Sequence, residues 1–353
     1  TATGIVFCHV GKIHVVHARK EVILSAGTVK SPQILELSGI GRPNILSEIG
    51  VVITAPLPGV GVHLQDHNFI AVSFVLYPAK HVTLDKLRTV PEFAKEALRL
   101  HGEGKGIYRT GVTSFAYFPL SLINSDGAQA LLGATEKQIQ ELYDMSGAVP
   151  GLQDQLVIQL ATLHDDTLPD MEIIAFPGLF SGTLSPVPGK NHVSLLSVLY
   201  HPLSRGTIHV YTKDPQDNPE IVPHCLVRDT DLENLVQHFK YVRRMAETEP
   251  LYTDIVGPVV EPGPACQTDQ QIREYIKDYL ATAWHGIGTC AMLPREKHGV
   301  VVPQLKVYGT TNLRVVDISI IPLHIAAHTQ ATAYVFGEKA ADLIRSAHTS
   351  YTC

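Results

Sequence analysis

The stretch Val22-Ile23-Leu24-Ser25-Ala26-Gly27-Thr28-Val29-Lys30-Ser31-Pro32-Gln33-Ile34-Leu35-Glu36-Leu37-Ser38-Gly39-Ile40-Gly41 sets the fold class. Its first six residues form a short apolar run closed by glycine, as in a strand buried on both faces of a parallel sheet. Ser31 and Pro32 then offer an N-cap and a first helical residue. A helix is expected to start there, to carry Ile34, Leu35 and Leu37, and to stop at "SGIG". A second short helix is expected from Asn44 to Ile49. Gly27 has no Cβ, so a ligand can approach the strand's carboxyl end, where open α/β sheets bind ligands.

A similar unit stands at the far end of the chain. "NLRVVD" reads as a buried strand ending at Asp317. A loop follows, then a helix that begins near His328 and carries Ala333, Phe336, Ala340, Leu343, Ile344 and Ala347 at helical spacing. Unpaired N–H groups at such a helix start suit an anion or a developing negative charge. On these residues alone, both ends also read as ordinary strand–loop–helix structure.

Between them, residues from about 67 to 230 alternate strand-like runs ("NFIAVSFVLY", "DMEIIAF", "NHVSLLSVLY", "GTIHVYT") with turns rich in Pro and Gly, an antiparallel pattern, and "VPEFAKEALRLHGEGKG" reads as a helix stopped by glycines. Thr230-x-x-Glu233 and Thr268-x-x-Gln271 read as capping boxes that open two amphipathic helices. The expected organisation is three segments: 1–66 and 281–353 in one α/β domain, with 67–280 interleaved as a second domain built on an antiparallel sheet and helices. A chain of 353 residues suits two domains.

Composition narrows the partners. The formal net charge of −6 argues against nucleic acid. No apolar run reaches the length of a membrane span. Five scattered cysteines without a C-x-x-C pair argue against zinc, and their odd number leaves at least one free thiol or an intermolecular bridge. The chain opens on "TATGIVFCHV", which reads as the middle of a domain.

Two of the 18 histidines stand apart. His285 has Trp284 on one side and Gly286 on the other, a ring and a small residue that can shape a pocket. His328 lies among small residues at a helix entrance. His101, His238, His298 and His348 sit among charged or loop residues and read as structural.

The segment 27–41 resembles the second signature of the glucose–methanol–choline (GMC) family of flavin oxidoreductases. "GVGVHLQDH" at 59–67, "HPLSRGTIHV" at 201–210, "HGIGTCAM" with "LRVVDISIIP", and "AAHTQATAYVFGEKAADLI" resemble the same family in the same order. The endings "WHGIGT" and "AHTQ" look most like the aryl-alcohol oxidase branch. The resemblance implies bound FAD and oxidation of a primary or aromatic alcohol. His285 would take the hydroxyl proton as a hydride moves to the flavin, and His328 would hydrogen-bond the alcohol oxygen. It places Gly27, Asp317, Ile318, Thr329 and Gln330 at the cofactor and Trp284 on the substrate channel, with oxygen or a quinone as final acceptor and no metal. The family's G-x-G-x-x-G turn is absent from this sequence, so a separate N-terminal segment, on another chain or a cleaved fragment, is the expected partner. Non-redox lyase or cyclase chemistry on the same scaffold, and a truncated non-catalytic product, stay open.

Overall fold

A computed structural model of the chain describes residues 1–77, 81–112, 114–123, 125–144 and 149–349. Cys353 lies outside them; Cys8, Cys225, Cys266 and Cys290 are free thiols. No described helix is long and apolar enough to cross a membrane.

The chain begins with the hairpin β1 (Gly4–His9) and β2 (Lys12–His17), then β3 (Val22–Leu24) and α1 (Gly27–Leu37). Short elements follow: β4 (Ile40–Gly41), α2 (Pro43–Glu48) and β5 (Ala55–Pro56). Next come β6 (Asn68–Leu76), α3 (Asp85–Thr89), α4 (Pro91–Gly102), β7 (Phe115–Phe118), α5 (Leu120–Ile123), α6 (Ser125–Asp144) and α7 (Leu152–Leu163). β8 (Met171–Phe176), β9 (His192–Leu199), β10 (Thr207–His209), β11 (Glu220–Val222), α8 (Asp229–Ala246) and β12 (Val256–Glu261) continue the chain. It ends with α9 (Asp269–Tyr279), β13 (Ala281–Thr282), β14 (Leu313–Val315) and α10 (Thr329–Thr349).

The main sheet is antiparallel, in the order β12-β6-β9-β8-β7, with β13 also on β6. Alternation along its strands sends two sets of side chains to opposite faces. Ile70, Val72, Met171, Ile173, Leu195 and Leu199 pack under α5, α6, α8 and α9, against Phe239, Val242, Ile272 and Ile276. Phe69, Ala71, Val198 and Tyr200 form the other face with Ala281 and Ala326. The terminal segments meet in a second core, where β3 pairs in parallel with β14 and Leu35, Val315 and Ala340 are buried.

Several expectations need correction. The region 67–230 holds the expected helix as α4, and also α6 and α7, which the sequence reading did not mark. Strand β3 is not buried on both faces; Ile23 is 47% exposed. Helix α1 starts at Gly27, so Pro32 lies inside it and Ser31 is not its cap. The proline removes the N–H that would reach the Thr28 carbonyl, and Thr289 Oγ1 donates to that carbonyl instead, at 2.7 Å. Ser31 Oγ spends its proton on Asp317 Oδ2 at 2.6 Å, a tertiary contact that sequence spacing does not reveal. Thr268 and Gln271 do form a capping box. Thr230 and Glu233 do not: Thr230 donates to Gln138 and Glu233 pairs with Arg273. His238, read as structural, is a core residue. It is fully buried in α8, and burial pulls its pKa down to about 3.

Candidate active site

The site stands where the polar side of the main sheet meets the loop that enters α10. One carboxylate organises its edge. Asp66 Oδ1 accepts from the His285 backbone N–H at 2.9 Å, and Asp66 Oδ2 accepts from Thr282 Oγ1. Thr282 Oγ1 also accepts from the Trp284 N–H at 2.9 Å. The clamp on 282 and 285 holds Trp284 at φ 56°, a left-handed conformation that costs a bulky residue on the order of 1–3 kcal/mol. Trp284 is 81% exposed.

His285 and His328 are brought together, with ring centroids 5.4 Å apart. Each has its own support. His328 Nε2 lies 2.9 Å from Glu172 Oε1, and Glu172 is fully buried in β8. Glu172 pairs across the sheet with Tyr117 of β7, and Phe115 meets the His328 ring edge-on at 4.9 Å. Burial and the Glu172 charge push the Tyr117 and Tyr200 hydroxyls up, so both remain protonated donors. His285 is supported by two buried histidines. Its Nδ1 is 2.9 Å from His67 Nδ1, and its carbonyl oxygen is 2.9 Å from His324 Nε2. His67 and His324 stack at 3.5 Å.

Burial, then the neighbouring His328, lowers the His285 pKa to about 4. Burial holds His324 at about 3 and His67 well below its usual range. At neutral pH these three rings are uncharged, as a proton acceptor and its supports must be.

A cavity of about 630 Å³ opens beside the histidines and is lined by Gly27, Thr28, Gln65, Asp66, Trp284, Gly286 and Ile318, among others. Gly27 sits at φ 81°, and a Cβ there would meet no atom within 4 Å, so the wall is bare backbone. Asp317 accepts from the Gly27 N–H at 3.0 Å and from the Ser319 N–H at 2.9 Å, tying the two strand ends together. A flat ring system against backbone suits these residues. Of the residues singled out in the sequence, Gly27, Trp284 and Ile318 line this cavity. Asp317 reaches it only through its hydrogen bond from Gly27, and His285 and His328, close to each other, are not among its lining residues. Thr329 is buried in the first turn of α10, whereas Gln330 is exposed, and neither lines the cavity. Among the described residues, no group of three His, Cys, Asp or Glu side chains is placed to hold a metal ion.

Sequence reasoning missed His67, His324, Glu172 and Asp66. Their partners are 218, 39, 156 and 219 positions away, beyond any local pattern. The one available signal was the density of "HLQDH" at 63–67, three ionisable groups in five residues.

Known proteins agree with this architecture. GMC oxidoreductase family models match residues 1–69 with the N-terminal domain and 202–337 with the C-terminal domain. The chain belongs to the GMC oxidoreductase family, whose cofactor is FAD. It is 35% identical over 368 residues to the GMC oxidoreductase family protein Mala s 12 of Malassezia sympodialis, covering 98% of this chain and 54% of that protein. An FAD-dependent oxidoreductase from Chaetomium thermophilum superposes with a TM-score of 0.85 at 27% identity, covering 99% of this chain and 59% of the other. A fungal aryl-alcohol oxidase superposes at 0.81 with 29% identity, covering 96% and 57%. The chain therefore spans about half the length of the curated relatives it matches. The N-terminal family model falls on residues 1–69 of this chain, so the expected separate N-terminal segment gains no support from the match.

Proposed function

We propose that this chain carries the proton-handling half of an FAD-dependent alcohol oxidase or dehydrogenase acting on a primary or aromatic alcohol. The observation that carries the reading is the pair of histidines 5.4 Å apart, one held neutral by burial and the other tied to a buried carboxylate. The alcohol oxygen lies between them. His285 takes the hydroxyl proton, and His328, held by Glu172, hydrogen-bonds the oxygen and fixes the angle of the C–H bond. Bound FAD supplies the hydride acceptor. Gly27 and Ile318 would line its place, with Asp317 holding the Gly27 N–H, and the family resemblance adds Thr329 and Gln330 at the N-terminus of α10, where the helix dipole would favour negative charge. Trp284 walls the entrance and keeps water from the reacting oxygen. Oxygen or a quinone would serve as the final electron acceptor. Residues 1–66 and 281–353 serve the cofactor and 67–280 the substrate.

Anaerobic mixing of the flavin-loaded protein with benzylic and aliphatic primary alcohols tests this. Bleaching of the flavin is expected, with kcat/KM steady above the His285 pKa and falling as pH drops through about 4, where the base becomes protonated. A flavin that no alcohol bleaches contradicts the reading.

A further inference from the structure

We propose that the protein holds a second ligand site, separate from the histidine pair, that binds a carboxylate carrying an apolar body. A cavity of about 600 Å³ lies between the last turn of α8 and the edge strand β12. Phe74, Ala246, Val256 and Val259 give it an apolar floor, and among its described lining residues Arg243 is the one cation. Asn68, at the start of the strand β6 that carries Phe74, lines the cavity beside the histidines. Six residues of strand (74 minus 68) set those two wall residues about 20 Å apart.

The edge strand builds the site. Val256 pairs with Leu76, Val259 with Phe74 and Glu261 with Ser73, so β12 gains a residue over β6 at each step. Such bulges bend an edge strand and re-aim its side chains. Gly257 stands in the first of them. A Cβ there would meet the Tyr77 ring at 2.3 Å, so glycine lets that ring lie on the strand and wall the cavity.

Arg243 is held ready for a ligand. Its guanidinium lies 4.7 Å over the Phe239 ring centroid. A guanidinium stacked by its face keeps its N–H groups in its own plane, free for an acceptor at its edge. Nη2 is buried and has no hydrogen-bond partner among the described residues. A buried donor on a charged group is costly to leave unpaired. Its two ionisable neighbours do not answer it. Glu247, one turn on, is an exposed residue at the rim, and burial keeps the Cys266 thiol protonated. A carboxylate is the planar acceptor that matches two parallel N–H groups. Hydrocarbon fits beside it: Ala246 and Val256 also line a second cavity of about 610 Å³, with Leu76, Ile173, Leu195 and Met245. Together the buried guanidinium and the apolar floor select an amphiphilic carboxylate over a bare anion.

Isothermal titration of the flavin-loaded protein with octanoate, acetate and octanamide tests this. Octanoate is expected to bind. Acetate lacks the apolar body and octanamide the charge, so each should bind at least about tenfold more weakly. Arg243→Gln should weaken octanoate about ten- to a hundredfold, as expected for a lost hydrogen bond between charged groups. Glu247→Gln removes a like charge from the rim and should tighten octanoate about two- to fivefold. No binding of octanoate, equal binding of acetate or octanamide, or an Arg243→Gln protein that binds like wild type overturns the proposal. Where Arg243→Gln does not fold, Glu247→Gln decides, and octanoate binding that is unchanged or weaker overturns it too. None of these readings depends on the histidine pair, so a failure of alcohol oxidation leaves this test intact.

Discussion

The two faces of the main sheet are built from the same strands and do opposite things. Strand β8 sends Met171 and Ile173 under the helices and Glu172 to His328. Strand β9 sends Leu195 and Leu199 one way and Tyr200, just past its end, the other. The helix-covered face is apolar and close-packed, so its energetics follow volume. The opposite face has a smaller apolar cluster of Phe69, Leu196 and Val198, and beside it a carboxylate, tyrosines and histidines near small residues such as Ala281 and Ala326. The lesson is that a period of two assigns side chains to faces but does not say which face is reactive.

The largest effect should come from the covered face. Phe239→Ala removes a fully buried ring of α8 and should cost about 3–5 kcal/mol of stability, read from the denaturant midpoint. Flavin reduction in the molecules that stay folded should be unchanged. Loss of chemistry without loss of stability would break the comparison.

Glu172→Gln probes the neighbouring strand position. The charge that holds His328 disappears, and a lost charge-assisted hydrogen bond of about 1.5–3 kcal/mol corresponds to roughly a ten- to hundredfold fall in rate. The denaturant midpoint should stay closer to wild type than that of Phe239→Ala. A Glu172→Gln protein with a wild-type rate would show that the carboxylate only packs.

His238 sharpens the contrast because it is a neutral histidine on the covered face. Both its ring nitrogens are buried without a partner. Its folded pKa of about 3 lies below the unfolded value, so the native state binds fewer protons and stability falls as pH drops below about 6.5. By about pH 5 that loss is about 2 kcal/mol, and His238→Leu should remove it while leaving the alcohol kinetics alone. Identical acid sensitivity in both proteins would place the titration elsewhere.

The smallest effect belongs to the rim. Trp284→Phe keeps a ring on an exposed position and should change stability by no more than about 0.5 kcal/mol. KM should shift between aromatic and aliphatic alcohols. A large drop in melting temperature with unchanged preference would contradict a channel role.

Much of this was legible in the chain. The runs at 68–76, 171–176 and 192–199 are strands, the Thr268 box opens α9, and the helix after His328 forms. What failed did so for tertiary reasons. Ser31 and Pro32 look like a helix start, but Asp317 and Thr289, far along the chain, let the helix begin at Gly27. Helices α6 and α7 were not read from the sequence: Gly127 and Gly133 lie within α6 and Pro150 just before α7, residues that weaken a helical pattern. His285 and His328 could be singled out from their small and aromatic neighbours. Glu172 could not, because one acid in an apolar strand says nothing of the histidine that pairs with it.

The central claim is that His285 and His328 act on one oxygen. Anaerobic flavin reduction by a single benzylic alcohol, measured for wild type, His285→Ala, His328→Ala and the double variant at matched flavin content, tests it most directly. Each single variant should be slower by about 10²–10⁴, and the double little slower than the worse single, because groups that act as a unit are not additive. Losses that multiply in the double variant, or singles that reduce flavin at the wild-type rate, would contradict the account.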